Sequence, residues 1–84
     1  MYRITFKRSA QRELADISKP YNQNIATAID KLAEDPRPDG VKKLKGEDNA
    51  YRIRVGDYCV IYIIEDVIKI VEIQRIRHRK EAYK

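Results

Sequence analysis

The 84 residues are enough for one domain with one modest core. A hydrophobic content of 43% with clear periodicities argues against a disordered chain, and no apolar run approaches the ~18 residues needed to span a bilayer. One cysteine and one histidine exclude an internal disulfide and a structural zinc site, while a net charge of +5 points to an anionic partner, either nucleic acid or an acidic protein.

Tyr2 to Lys7 alternates Tyr2, Ile4 and Phe6 with Arg3, Thr5 and Lys7, which predicts a first strand. Ser9 is placed to cap a short helix with Ala10, Leu14 and Ile17 on its apolar stripe, although Arg12 stands where a capping box needs Glu or Gln. Ser18-Lys19-Pro20 breaks that pattern, and Pro20 predicts the start of a second helix running to about Glu34. Its expected buried stripe is Tyr21, Ile25, Ala28, Ile29, Leu32 and Ala33, and Asp35 to Gly40 reads as a loop. Two helices joined this closely form a hairpin that can cover one face of a sheet.

Beyond Lys42 the period changes to two. Lys43-Leu44-Lys45 reads as a short strand or a strand entry, Gly46 to Asn49 as a turn, and Tyr51 to Val55 and Tyr58 to Tyr62 as two strands joined at Gly56-Asp57. A two-residue turn there sets Val55 opposite Tyr58, Arg54 opposite Cys59, Ile53 opposite Val60 and Arg52 opposite Ile61. Tyr51, Ile53, Val55, Tyr58, Val60 and Tyr62 then share the core face, and Arg52 and Arg54 stand about 7 Å apart on the other face with Cys59 and Ile61. Such a pair suits a phosphate clamp, and equally suits the solvated side of a half-buried sheet. Glu65-Asp66 leads into a last strand, Val67 to Ile76. The expected fold is α+β, a small single domain over residues 1–84 in the order β-α-α-β-β-β, with the helical hairpin packed on a mainly antiparallel twisted sheet.

The charge is concentrated late in the chain, with a net +1 over residues 1–40 and +4 over residues 41–84. The end, Arg75 to Lys84, adds four arginines and lysines within Arg75 to Lys80, the only histidine and Tyr83, and its first residues are expected beside the central hairpin. There is no P-loop, no His-Glu-x-x-His and no Gly-x-Ser-x-Gly. A cationic face with His and Tyr suits metal-independent RNA cleavage, in which the ribose 2′-hydroxyl attacks its own phosphodiester. Arginines can stabilise the phosphorane charge but cannot act as the base. His78 is near-matched for proton transfer, while Tyr83 can transfer a proton if cations lower its pKa, or stack on a base without ionising. No cofactor and no metal are expected.

These motifs resemble the RelE/ParE superfamily of type II toxins, most closely its RelE branch. The resemblance runs from the first strand through Glu34-Asp35-Pro36, Leu44-Lys45-Gly46 and Tyr51-Arg52-Ile53-Arg54 to Ile76-Arg77-His78-Arg79-Lys80-Glu81-Ala82-Tyr83, the most specific part. It implies a ribosome-dependent endoribonuclease (an mRNA interferase) that cuts mRNA in the A site by 2′-hydroxyl attack and inhibits translation. Arg52, Arg54, Arg77, His78 and Tyr83 are then the catalytic candidates, with Lys43, Lys45, Arg75, Arg79 and Lys80 as RNA-binding residues. Cys59 departs from the family pattern, which carries an arginine there, and its presence implies an attenuated or substituted site. The implied partners are a RelB-type antitoxin, the ribosome and mRNA, with operator DNA reached only through the antitoxin. No membrane partner is implied, and the expected location is cytoplasmic because the N-terminus lacks the apolar stretch of a signal peptide. The alternatives are a ParE-like DNA gyrase inhibitor and a catalytically weak or inactive toxin-fold binding module.

Overall fold

The computed structural model describes residues 1–82. The elements follow the order β1 (Arg3–Phe6), α1 (Arg8–Ala15), α2 (Tyr21–Lys31), β2 (Lys42–Lys43), β3 (Ala50–Val55), β4 (Tyr58–Glu65), β5 (Ile70–His78) and α3 (Arg79–Ala82). The strands make one mixed sheet in the order β1-β5-β4-β3-β2. Three of its four pairings are antiparallel and β1 runs parallel to β5.

Ala10 of α1 and Ile25, Ile29 and Leu32 of the α2 segment are buried against Ile53, Val60, Tyr62, Ile64, Val71, Ile73 and Ile76, so the helical hairpin covers one face of the sheet. The hairpin register is the expected one, from Val55 opposite Tyr58 to Arg52 opposite Ile61. Gly56 takes a φ of 60°, which a two-residue hairpin turn demands and a side chain resists.

Several boundaries differ from expectation. The first helix starts at Arg8 with Lys7 in the cap position, so Ser9 lies inside the helix and caps nothing. The second ends at Lys31 instead of about Glu34. There Leu32, Ala33 and Glu34 bond back three residues to Ile29, Asp30 and Lys31, tightening the final turn and satisfying carbonyls that an α-helix would leave open. Tyr21 is 52% exposed, not buried, and its ring lies 6.2 Å from that of Tyr58. The β2 strand is only two residues long, because it pairs with Tyr51 and Arg52 alone. The last strand begins at Ile70, three residues later than expected, since residues 66–69 turn the chain with Lys69 at φ 57°.

The 35–38 loop is tied to the β4–β5 turn by side chains. Arg37 donates two hydrogen bonds to the Asp66 carboxylate and lies over the Tyr51 ring, while the Tyr2 hydroxyl donates to the same carboxylate. The Arg37 bonds first, and that of Tyr2 second, hold the Asp66 carboxyl at about 2, below its ordinary 3.8. A depressed folded value stabilises the fold fully above the ordinary value and is lost as pH falls through the folded one. Thermal melts should therefore drop more steeply between about pH 4 and pH 2 in the wild type than in Asp66→Asn. Parallel curves for the two proteins would show that this exposed cluster contributes nothing to acid stability.

Candidate nucleic-acid interface

The face opposite the helices carries a row of arginines. Cys59 in β4 lies directly between Arg54 in β3 and Arg77 in β5, as the cross-strand partner of both. Two strand spacings put the Arg54 and Arg77 backbones about 10 Å apart, with Arg52 one pleat further along β3. Cys59 is fully buried at the centre of this row, Arg52 and Arg77 are half-buried, and Arg54 is exposed. Arg54 is steadied by a bond from its Nε to the Gly56 carbonyl at 3.3 Å. Rigid strands thus present three guanidinium groups from two strands towards one side of the sheet.

Arg79 and Lys80 follow β5 at the same end of the sheet. The Arg79 backbone N–H donates to the Asp57 carbonyl, so α3 starts against the central hairpin turn, as the sequence suggests. Both residues are exposed.

Other candidates are placed elsewhere. His78 pairs with Tyr58, a core-face residue, and meets its ring edge-on at 5.4 Å. It therefore points to the helix side and lines a cleft of about 490 Å³ with Glu13, Asp16, Ile17, Tyr58 and Ile76. Strand alternation is the reason: Arg77 and His78 are neighbours in sequence and must face opposite ways. His78, a candidate base in the sequence, therefore lies on the opposite face from Arg52, Arg54 and Arg77. Its Nδ1 accepts the Lys80 backbone N–H at 3.3 Å.

Arg75 is engaged in an ion pair with Glu13 of α1 at 3.1 Å. Lys43 lies opposite Tyr51 and so shares the helix-side face, whereas Lys42, which the sequence reading passed over, lies opposite Arg52 and joins the arginine face. The β2 register carries that parity and could have been counted only once the pairing with β3 was known. Lys45 sits in the β2–β3 turn near Ala50, about 13 Å along β3 from Arg54. Tyr83 lies outside the described residues. Among the described residues no group of three or more His, Cys, Asp or Glu could hold a metal ion. No described helix is long and apolar enough to cross a membrane.

A second concavity, about 530 Å³, runs between α2 and the outer edge of β3, lined by Leu32, Pro38, Gly40, Ile53 and Val55 with Arg54 at its rim. It exists because β2 pairs only as far as Arg52, leaving the rest of β3 without a strand on that side.

A model of the family described as ParE toxin of type II toxin–antitoxin systems matches residues 4–83. The chain belongs to this family, within the RelE/ParE superfamily. The curated toxin RelE1 of Methanocaldococcus jannaschii is 28% identical over 86 residues, covering 99% of this chain and 96% of that protein. The archaeal RelE–RelB complex from Pyrococcus horikoshii OT3 contains a chain superposing with a TM-score of 0.83 at 29% identity, over 93% of this chain and 94% of that one. The RelBE2 toxin–antitoxin complex of Mycobacterium tuberculosis gives 0.81 at 26% identity, over 93% and 98% of the two chains.

Proposed function

We propose that this protein is a RelE-like toxin that inhibits translation by cutting ribosome-bound mRNA. One observation carries the reading: Arg52, Arg54 and Arg77 share a sheet face on which the row Arg54–Cys59–Arg77 runs straight across three strands. In this reading the 2′-hydroxyl of the substrate attacks the adjacent phosphodiester, and the guanidinium groups bind the phosphate and stabilise the charge that builds on the phosphorane. Each well-aimed donor is worth roughly 3 kcal/mol at the transition state. No metal or cofactor takes part. In this reading Tyr83 is preferred to His78 for proton transfer, since His78 lies on the face away from the arginine row, and Tyr83 can equally stack on the base. Arg79 and Lys80 would track the RNA backbone.

The partner in this reading is a RelB-type antitoxin, since the solved relatives from Pyrococcus horikoshii and Mycobacterium tuberculosis are complexes of toxin with antitoxin. A net charge of +5 favours an acidic partner. Operator DNA would be reached only through that antitoxin, and the work would be done in the cytoplasm, on ribosomes.

The test is to map mRNA ends in a purified translation reaction with ribosomes stalled on a defined message. New ends at the A-site codon, present only with ribosomes, are the expected result. Cleavage by Cys59→Arg where the wild type leaves the message intact would mark an attenuated enzyme. A second reading, inhibition of DNA gyrase, is favoured by the match to the ParE family model. Gyrase-dependent DNA breaks alongside an intact message would establish it and overturn the ribonuclease reading.

A further inference from the structure

β5 loses its parallel neighbour at Ile73, where β1 ends at Phe6. Beyond that point its outer edge meets a side chain instead of a strand. Glu13 Oε1 accepts the Ile76 backbone N–H at 2.8 Å, and Glu13 Oε2 accepts from Arg75 Nε and Nη2 at 3.2 and 3.1 Å. These contacts fall just after a β-bulge. Tyr62 lies opposite Ile73 and Ile61 opposite Arg75, so Gln74 is the extra residue.

The bulge decides what the rest of β5 faces. In an unbroken register Arg75 would oppose Val60, Ile76 would oppose Cys59 and Arg77 would oppose Tyr58. Ile76 would then turn outward and Arg77 would point under the helices. With the bulge, Ile76 is 3% exposed in the core and Arg77 stands opposite Cys59 in the arginine row. Burial of Ile76 favours this phase, but a bulge on an edge without a neighbouring strand can migrate unless something holds it.

We infer that Glu13 is a positioning residue whose carboxylate pins the β5 bulge and thereby aligns Arg77 with Arg52 and Arg54. Its importance for activity rests on the RNA-cleavage reading, while its effect on the strand does not. Glu13 belongs to α1 on the helix side and acts on β5 through the Ile76 backbone N–H and the Arg75 guanidinium. It also stands in for the missing strand at Ile76, accepting an N–H on the edge that β1 no longer covers.

The experiment is NMR on the full chain, reading amide exchange at Ile76 and cross-strand contacts between Cys59 and Arg77, beside the cleavage assay. In Glu13→Ala the Ile76 amide should exchange at least about tenfold faster, and the Cys59–Arg77 contacts should fall to about half their intensity or less. Cleavage should drop about tenfold through kcat with KM little changed, and Glu13→Gln, which keeps an acceptor for Ile76, should recover most of both. Faster exchange with unchanged Cys59–Arg77 contacts overturns the inference and leaves Glu13 as an edge cover. If Glu13→Ala does not fold, Glu13→Asp serves instead, because it is one methylene shorter and withdraws the carboxylate from the Ile76 N–H; Ile76 exchange and Cys59–Arg77 contacts equal to wild type there also overturn it. A wild type that cuts no RNA sinks the functional reading and leaves the NMR result standing, whereas unchanged NMR contacts do the reverse.

Discussion

Arg77→Ala should lower ribosome-dependent cleavage by about 10²–10³-fold, the effect of removing one preorganised donor from developing charge. Arg77 stands opposite the fully buried Cys59 and is itself half-buried, unlike the exposed Arg54, so its guanidinium starts from a fixed base. An interaction made mainly in the transition state lowers kcat and kcat/KM together and leaves KM nearly unchanged. Arg77→Lys keeps the charge but loses the planar fork, and should recover only part of the loss. The exposed Arg54 sits just beyond the last residue that β2 covers, where Arg54→Ala should give a smaller defect that shrinks as salt is raised, because the wild type has one more phosphate contact to lose to screening. End mapping with purified ribosomes reads all three variants, and a melting temperature for Arg77→Ala within about 4 °C of wild type separates chemistry from folding. Full activity in Arg77→Ala would move the site off this face.

Tyr62→Ala should cost about 3–5 kcal/mol of stability, the range for deleting a buried aromatic ring. Tyr62 is fully buried at the centre of the core, stacks near Tyr51 at 6.2 Å and donates its hydroxyl to the Pro36 carbonyl at 2.8 Å. Burial raises its pKa well above the ordinary phenol value, so it remains a neutral donor across the physiological range. Tyr62→Phe keeps the ring and removes only the bond that anchors the loop at Pro36, which should cost about 1–2 kcal/mol because the carbonyl is left buried and unpaired. With a total stability of about 4–12 kcal/mol expected at this size, the alanine variant stands close to unfolding while the phenylalanine variant remains folded. Urea titrations of the two variants separate the ring's contribution from the hydroxyl's, and equal midpoints would show that the Pro36 bond matters as much as the whole ring.

Local patterns gave away what depends on neighbours in sequence. The two-residue turn at Gly56-Asp57 and simple alternation were enough to place Arg52, Arg54 and Cys59 on one face and the tyrosine–isoleucine stripe on the other. The facing of His78 and Lys43 was not legible for a related reason. Their facing follows from which strand they meet, and that pairing is a long-range property. The bulge did leave a trace: Val71, Ile73 and Ile76 are spaced by two and then three, a broken alternation that signals an inserted residue. Glu13 left none, because nothing around a helical glutamate announces that it will meet a strand more than sixty positions later. The parallel pairing of β1 with β5 was equally hidden, since β1's alternation is the same whichever strand lies beside it.

The position of β5 has a consequence for the order of assembly. It is synthesised after every other strand, yet it lies between β1 and β4. The sheet therefore cannot grow outward from its first strand. Until β5 emerges, the nascent chain holds β1 with its helices on one side and the β2–β3–β4 meander on the other, each with an open edge and an apolar face awaiting the same insert. Closing the sheet joins residues 3–6 to residues 70–73, a contact of high sequence separation that slows folding and lengthens the exposure of unpaired strands. Because Arg77 is on that final insert, the arginine face comes into being only as the last gap closes.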